Sequence, residues 1–229
     1  MTGLYRRVHR RVRRLVTSMT SESRARALGV LLGPENLCIR PVSASDVVVD
    51  VGVGHTPTFA PWVREQTGAL VVLCDPTPKH APRLRDWVAR TPRSALIECA
   101  VGGADGVVEF FQSEAEESGS LLSTHLNRRT AGRSYQVPAI SLRTLLNRAH
   151  EYGPVGLVKL DVEGVEFSMF DGSPSCAEVV GSVAQWLVEF HPYPQTPHPL
   201  GAIDHIREWF HSRGYGSYTR NGIDFLFWR

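Results

Sequence analysis

The chain has 229 residues, of which 42% are apolar and 21% are charged, and its formal net charge is +2. This composition is ordinary for a globular protein, and the length suffices for one α/β domain with a substantial core or, at a stretch, for two small ones. It has no apolar run of the ~20 residues needed to span a bilayer and no secretory leader, so the sequence predicts a cytoplasmic protein without a transmembrane segment. Its four cysteines lie far apart, which favours reduced core residues over disulfides or a zinc site.

Charge is distributed unevenly along the chain. Residues 1–32 carry eight arginines and one acid, whereas the remainder carries 17 basic and 22 acidic residues. Nucleic-acid binding depends on neutralising phosphates, so a net acidic main domain is not expected to bind nucleic acid. We therefore divide the chain into a basic helical extension, residues 1–34, and a main domain, residues 35–229.

The extension contains an amphipathic segment, Leu4–Val16, with one apolar stripe and arginines on its other faces. This pattern predicts a helix that docks on the main domain or on a second subunit of a homodimer. The alternative is weak contact with an anionic membrane surface or with a polyanion.

From Asp46 onward, strand and helix patterns alternate. Residues 47–53 predict a buried strand that runs into a glycine turn, after which Thr56 and Pro57 predict the start of a helix ending at Gly68. The later predictions, in chain order, are a strand at 69–75, a helix at 81–91, strands at 94–102 and 107–112, a polar loop at 113–136, a helix at 140–153 begun by Ser141, strands at 155–164 and 185–193, a helix at 203–215 and a strand at 225–228.

Buried strands that alternate with helices are typical of a doubly wound, Rossmann-like parallel sheet. Ligands of such sheets bind outside the carboxyl ends of the strands. Four acids and one histidine fall at predicted strand ends, namely Asp50, Asp75, Asp161, Glu189 and His191. The sequence therefore predicts a functional site at that edge of the sheet.

The first two strands predict a nucleoside pocket. Gly52 and Gly54 allow the backbone to approach a ligand closely, and Asp75 can accept both hydroxyls of a ribose. The turn lacks the third glycine of a nicotinamide-dinucleotide fingerprint and has Pro57 in its place. Asp50 would repel a pyrophosphate but suits the ammonium group of S-adenosylmethionine. An NAD-linked oxidoreductase stays open as an alternative.

These segments resemble the FkbM family of S-adenosylmethionine-dependent methyltransferases from about Asp46 to Phe227. The matching segments are VVVDVGVG, CDPTP, ECAVGGADGVVEFF, SGSLL, VPAISLRTLL, VKLDVEGVEFSMFDG and VEFHP. The resemblance implies a class I methyltransferase fold, with a seven-stranded sheet whose last strand is antiparallel. It also implies O-methylation of small molecules or saccharides.

Within these segments we assign the cofactor contacts to Asp50, Gly52, Gly54, His55, Thr56, Asp75, Ala100, Ser120 and Asp161. Two positions depart from the family pattern. The family commonly has D-x-G-A-N-x-G, whereas this chain has Gly54 and Thr56 in place of the Asn and the last Gly. The acid after the second strand is Asp75 rather than the more usual Glu, which shortens its reach.

Methyl transfer to a hydroxyl requires a positioned alcohol and a group that takes its proton. We assign the general base to His191, because histidine titrates near neutrality; the alternative is a loop histidine bonded to backbone. Asp161 is expected to contact the cofactor's methionine end or the acceptor hydroxyl. Glu163 either faces the same way as Asp161 or caps a helix beginning near Gly164.

Asp161, Glu189 and His191, the predicted catalytic set, also form a predicted magnesium site, since magnesium prefers carboxylates. In the alternative, Glu189 only anchors a loop. Lys159 lies in an apolar strand, so we expect a buried ion pair with an acid such as Glu189.

The loops 113–136 and 191–201 are expected to overhang the pocket, the second offering Tyr193 and His198 to a sugar. We therefore predict an S-adenosylmethionine-dependent O-methyltransferase acting on a sugar hydroxyl of a saccharide or glycoconjugate, with a mannose-type oligosaccharide as a specific candidate. The alternatives are O-methylation of a polyketide- or macrolide-like metabolite and a non-catalytic cofactor-binding scaffold.

Overall fold

The structure, a computed structural model, describes residues 20–112, 119–123, 134–192 and 199–229. The predicted helix Leu4–Val16 and the predicted sugar contacts Tyr193 and His198 lie outside these residues and stay predictions. Over the described ranges, no helix combines the length and the apolar character needed to cross a membrane.

Helices and strands alternate along most of the described chain. In chain order they are α1 (Ser21–Ala27), β1 (Leu31–Leu32), β2 (Cys38–Ile39), β3 (Val47–Val51), α2 (Phe59–Thr67), β4 (Leu70–Cys74), α3 (Ala81–Arg90), β5 (Ser94–Ile97), β6 (Ala100–Gly102), β7 (Gly106–Gln112), β8 (Gly119–Ser120), β9 (Ser134–Ser141), α4 (Leu142–His150), β10 (Val155–Leu160), α5 (Glu166–Met169), α6 (Pro174–Gly181), β11 (Gln185–Glu189), α7 (Pro199–His211), β12 (Gly216–Thr219) and β13 (Asp224–Trp228).

The main sheet has seven strands in the order β12-β13-β11-β10-β3-β4-β5. Strands β11, β10, β3, β4 and β5 run parallel, whereas β13 is antiparallel to both of its neighbours. Every residue of β3 and β10 is buried, as expected for strands covered on both faces. The predicted doubly wound, mostly parallel sheet with an antiparallel last strand is confirmed.

The strand order reverses between β3 and β10. The chain runs from β3 outward through β4 to β5 and later returns to place β10 on the other side of β3. In the register of this pair, Lys159 lies opposite Asp50 and Leu160 opposite Val51. Open α/β sheets bind ligands at such a reversal, so the ends of β3 and β10 lie where a site is expected.

A second sheet, in the order β6-β9-β7-β8, changes two of the sequence predictions. Residues 94–102 are predicted as one strand, but β5 belongs to the main sheet and β6 pairs with β9 in the second. The predicted polar loop 113–136 contains β8 and the beginning of β9. The polar residues of this segment suggest a loop, but exposed residues also occur on one face of β9, which is a strand buried mainly on its other face.

The helix after the glycine turn begins later than predicted. Its first residue is Phe59, and Thr58 at the N-cap makes no side-chain capping bond. Thr56 is exposed and Pro57 is buried within the turn, which continues for two residues past the predicted helix start. The predicted end is confirmed, because Gly68 adopts the left-handed conformation common after helices, with φ of 70°. Ser141 caps α4 as predicted, by accepting a hydrogen bond from the Thr144 N–H.

The described end of the predicted extension packs against the main sheet. Ala25 and Val30 are buried in the same core cluster as Val48 of β3. The hydroxyl of Tyr218 in β12 donates a hydrogen bond to the Ser21 carbonyl oxygen at 2.8 Å. Strand β1 pairs with β2, so the predicted boundary between residues 34 and 35 lies inside a hairpin.

Candidate functional site

A cavity of about 400 Å³ lies at the carboxyl ends of β3, β4 and β10. This volume falls in the range of ~300–1,000 Å³ that is typical of small-molecule sites. Its wall includes residues 51–54, 74–77, 99–101 and 161–163. The ends of β3, β4 and β10 therefore share one concave surface, whereas Glu189 and His191 after β11 do not line it.

Gly52 lies at the contact between the loop after β3 and the loop after β10. Its φ is +76°, a conformation that glycine adopts far more readily than other residues. A Cβ at this position would lie 1.7 Å from the carbonyl oxygen of Asp161. A side chain here would therefore separate the two strand ends that form the cavity.

Asp75 ties the glycine turn to the end of β4. Its Oδ2 accepts a hydrogen bond from the Gly54 N–H at 2.9 Å, and its Oδ1 accepts one from the Thr77 N–H at 2.9 Å. The buried side chain of His80, which the sequence analysis missed, places Nδ1 3.2 Å from Oδ1. Each carboxylate oxygen can accept more than one hydrogen bond, so Asp75 remains able to bind a ribose hydroxyl.

Asp50 lies behind the cavity wall, with a side chain that is almost fully buried. Lys159 Nζ is 3.7 Å from Asp50 Oδ1 and 3.0 Å from Asp161 Oδ2. The predicted buried ion pair is thus present, but with these two acids rather than Glu189. Burial raises the pKa of Asp50 to about 6, against the opposing effect of Lys159. Burial alone would lower the pKa of Lys159, but Asp161 and Asp50 raise it.

Four carboxylates surround the His191 ring. The imidazole Nε2 lies 3.7 Å from Asp161 Oδ1, 3.5 Å from Glu163 Oε2 and 3.5 Å from Glu189 Oε1. On the other side of the ring, Nδ1 lies 2.9 Å from Glu166 Oε1. The structure therefore brings together Asp161, Glu189 and His191, as the sequence predicts, and adds two glutamates.

A tight turn after β10 brings Glu163 to the same side as Asp161. Glu163 has φ of +54°, and Gly164 follows with φ of +98°. The next helix, α5, begins at Glu166, and Val165 occupies its N-cap without a side-chain hydrogen bond. The alternative in which Glu163 caps this helix is therefore wrong, and both Asp161 and Glu163 line the cavity.

The carboxylates determine the protonation of the histidine. Burial alone would lower the pKa of His191, but hydrogen bonds to Glu166 and Glu189 and the charge of the nearby acids raise it to about 11. The hydrogen bond to His191 lowers the pKa of Glu189, and burial raises that of Asp161. With this pKa the imidazole is protonated at neutral pH. The predicted role as general base stays a prediction, and it requires His191 to lose a proton first.

Like Asp50, the predicted cofactor residues His55, Thr56 and Ser120 lie off the cavity wall. The His55 side chain is exposed, and its Nδ1 lies 3.4 Å from Arg83 Nη1. Thr56 is exposed beside it in the turn. Gly52, Gly54, Asp75, Ala100 and Asp161 do line the cavity.

Ser120 holds the second sheet against the turn after β10. Its buried hydroxyl donates to the Glu163 carbonyl oxygen at 2.7 Å and accepts from the Leu122 N–H at 3.0 Å. Its neighbours Gly119 and Leu121 line the cavity. The predicted contact of Ser120 with the cofactor thus stays a prediction, while its observed partners are protein groups.

The charged side chains on the wall of the cavity are acidic. They are Glu35, Asp75, Asp161 and Glu163, and no lysine or arginine lines the wall among the residues described. Glu35 lies in the β1–β2 loop, which the sequence analysis did not connect with the site. Like charges oppose binding, so this wall disfavours a pyrophosphate and favours a ligand that carries positive charge.

The sheet order is that of the class I methyltransferase fold, and the cavity lies at its β3–β10 reversal. The chain belongs to the FkbM methyltransferase family, because residues 46–216 match the Methyltransferase FkbM domain. The match covers most of the chain and includes the ends of β3, β4, β10 and β11. The protein is therefore a methyltransferase.

Solved structures with similar folds have low sequence identity to this chain. The fibrillarin pre-rRNA processing protein of Methanococcus jannaschii is 11% identical, with 91% of this chain and 74% of that chain covered and a TM-score of 0.45. Monomeric WbdD is 14% identical, with 89% and 37% covered and a TM-score of 0.44. A human methyltransferase 10 domain containing protein is 7% identical, with 80% and 71% covered and a TM-score of 0.39. No curated protein matches the sequence significantly.

Proposed function

We propose that this methyltransferase uses S-adenosylmethionine to methylate a hydroxyl group of a saccharide or glycoconjugate. The observation that carries the proposal is the cavity at the β3–β10 reversal, whose charged wall residues, within the described part of the chain, are all acidic. S-adenosylmethionine has an ammonium group and a sulfonium but no phosphate, so its charges complement that wall. When bound, it supplies the electrophilic methyl group, and the protein positions the acceptor and removes its proton.

The residues of the wall divide into two groups. The turn with Gly52 and Gly54, together with Asp75 and Ala100, forms the side at β3, β4 and the second sheet, and we assign the nucleoside to it. Asp161 lies at the end of β10, where its carboxylate can meet the methionine ammonium or the acceptor. This division places the transferred methyl group near the turn after β10.

The acceptor's proton is assigned to the cluster around His191. Asp161 and Glu163 are on the cavity wall, and both approach the Nε2 of His191. The two carboxylates can therefore hold the acceptor hydroxyl, and the imidazole can take its proton once it has lost the one that it carries at neutral pH. Proton transfer to a positioned side chain typically contributes ~10²–10⁴-fold to a rate.

The same cluster fits a divalent cation. One ligand atom from each of Asp161, Glu163 and His191 lies within 4.8 Å of the others, with Glu189 alongside. Magnesium binds carboxylate oxygens, and a bound cation lowers the pKa of a coordinated hydroxyl. Compared with the set predicted from sequence, Glu163 takes the place of Glu189 among the converging atoms.

The test is mass spectrometry of candidate acceptors incubated with the enzyme and isotope-labelled S-adenosylmethionine. Mannose-type oligosaccharides are the first panel and macrolide-like metabolites the second, each with and without EDTA followed by added magnesium. We expect one methyl group on a sugar oxygen. A methyl group on nitrogen or carbon contradicts O-specificity, and activity that is unchanged by EDTA contradicts the cation.

Calorimetry with S-adenosylhomocysteine and NAD separates the remaining alternatives. Binding of the first without methylation of any acceptor supports a scaffold, and binding of NAD alone overturns the cofactor assignment. Glu178→Gln should bind S-adenosylhomocysteine as the wild-type protein does, because Glu178 is an exposed carboxylate that pairs with Arg143 and does not line the cavity. It therefore serves as a control for substitutions of the cavity carboxylates. A homodimer and a cytoplasmic location stay predictions.

A further inference from the structure

Glu166 is a fully buried carboxylate next to the cluster around His191. It is the first residue of α5 and does not line the cavity. Burial of a carboxylate is unfavourable unless hydrogen bonds replace its hydration. The hydrogen bonds that offset the cost of burying Glu166 therefore show which parts of the site this residue holds in place.

Both oxygens of Glu166 accept hydrogen bonds from the turn after β10. Oε1 accepts from the Val162 N–H at 3.1 Å, and Oε2 accepts from the Gly164 N–H at 2.8 Å. These two N–H groups lie on either side of Glu163, whose positive φ is uncommon for a residue with a side chain. Such a conformation persists only where surrounding contacts hold it. Glu166 thus supports the turn that places Asp161 and Glu163 on the cavity wall.

The same carboxylate also holds the imidazole. Its Oε1 lies 2.9 Å from Nδ1 of His191, which follows β11. Both oxygens of Glu166 act as acceptors for backbone N–H groups, so the hydrogen in the contact with His191 belongs to Nδ1. The other ring nitrogen, Nε2, is then the atom presented to Asp161 and Glu163. Carboxylates behind histidines commonly fix the ring orientation and tautomer in this way.

We propose that Glu166 is a positioning residue of the methyltransferase site, which holds the Nε2 of His191 against the carboxylates of the turn after β10. One residue thereby aligns groups from two different strands. The expected effect of Glu166 on turnover rests on the proposed function. Its expected effect on the imidazole does not depend on any acceptor.

Ser120 provides the matched control for a merely structural role. It supports the same turn through the carbonyl oxygen of Glu163, and none of its hydrogen bonds involves His191. Ser120→Ala therefore weakens the turn but leaves the imidazole's partner in place. Glu166→Gln keeps the shape of the side chain, but its amide cannot accept hydrogen bonds at both ends.

The kinetic test compares Glu166→Gln, Ser120→Ala, His191→Gln and the double variant with Gln at both positions 166 and 191. We expect kcat to fall ~10–100-fold in Glu166→Gln, the range typical for a carboxylate behind a functional histidine. KM for S-adenosylmethionine should stay within about twofold, because Glu166 does not line the cavity. At the same loss of thermal stability, kcat should fall less in Ser120→Ala than in Glu166→Gln.

The double variant decides whether Glu166 acts through His191. Residues that act as a unit show non-additive losses, so the second substitution should add little to the effect of His191→Gln. If the fold-losses of kcat in the two single variants multiply in the double variant, the residues act independently and the proposal is overturned. Wild-type kcat in Glu166→Gln, or an equal effect of Ser120→Ala at equal stability, also overturns it.

Nitrogen-15 NMR of the histidine rings in the wild-type protein supplies a readout that needs neither a folded variant nor an acceptor. We expect Nδ1 of His191 to be protonated, with a shift typical of a strong hydrogen bond to Glu166. An unprotonated Nδ1 in the wild-type protein contradicts the proposal. If no acceptor is methylated but Nδ1 is protonated, the proposed function fails while the positioning of the ring stands.

Discussion

The carboxylate of Asp75 accepts a hydrogen bond from the backbone N–H of Gly54 at 2.9 Å, which joins the end of β4 to the glycine turn after β3. A second backbone donor, the Thr77 N–H, binds the other oxygen of the same carboxylate. Asp75 therefore shapes one side of the cavity as well as offering oxygens to a ligand. Four testable consequences of the structure follow from this and related contacts.

Asp75→Asn should weaken binding of S-adenosylhomocysteine by roughly 10–100-fold, because hydrogen bonds to a charged group are each worth ~1.5–3 kcal/mol. An amide cannot accept from both Gly54 and Thr77, so the turn also loses one contact. Calorimetry measures the change, with Asp86→Asn as the control, since Asp86 is exposed on α3. Equal affinity in Asp75→Asn and the wild-type protein would exclude a cofactor role for this carboxylate.

Gly52→Ala should destabilise the protein more than Gly214→Ala. Both glycines have positive φ, +76° and +83°, but a Cβ at Gly214 meets nothing within 4 Å. Gly214→Ala therefore measures backbone strain by itself, ~1–2 kcal/mol. Gly52→Ala adds a clash with the Asp161 carbonyl oxygen. Urea unfolding of the two variants gives the difference, and equal losses would contradict the close approach of β3 and β10.

Lys159→Met should lower the free energy of unfolding by ~3–5 kcal/mol at pH 7.5, because it leaves buried acids without their cation. The folded pKa of Asp50 is already raised to about 6 from 3.8, and loss of Lys159 raises it further. A carboxyl with a raised folded pKa binds its proton more tightly in the folded state, so stability falls as pH rises from the unfolded to the folded pKa. The variant should therefore regain stability as the pH is lowered from 8 towards 5.

The control for this pH dependence is the double variant with Asp50→Asn and Lys159→Met. Because it carries no ionisable group at position 50, it should recover part of the lost stability at pH 7.5 and depend less on pH. Denaturant unfolding at several pH values measures both variants. The same pH dependence in the single and double variants would assign the effect to a group other than Asp50.

Bound S-adenosylhomocysteine should protect Cys99 from alkylation. Cys99 lines the cavity, and a hydrogen bond with Cys74 lowers the pKa of its thiol. At a ligand concentration ten times the Kd, the labelling rate should fall roughly tenfold by mass action. Cys176 is half-buried outside the cavity wall and serves as the control whose rate should not change.

Peptide mass spectrometry after iodoacetamide treatment measures both rates. Cys38 should stay unlabelled in the folded protein, because burial raises the pKa of its thiol to about 12. Equal labelling of Cys99 with and without ligand would show that the ligand binds elsewhere.

Much of the sheet can be predicted from the sequence, because its central strands are covered on both faces and consist mostly of apolar residues. This holds for β3, β4, β10 and β11, and the acids at or just after the ends of these strands are recognisable as strand-end residues. The short elements are harder to predict. Residues 94–102 have the pattern of one continuous strand, but the structure divides them between two sheets because β6 pairs with β9 and β5 with β4.

Local hydrophobic patterns and glycine turns in the sequence are enough to predict the family, the parallel sheet and the positions of Asp50, Asp75, Asp161 and His191 at or near strand ends. The side-chain partners become visible only in the folded chain: Lys159 with Asp50 and Asp161, and Glu166 behind His191. These contacts depend on a strand register and on a single turn with positive φ at Glu163. Neither is encoded in local periodicity, because each arises when distant segments pack together.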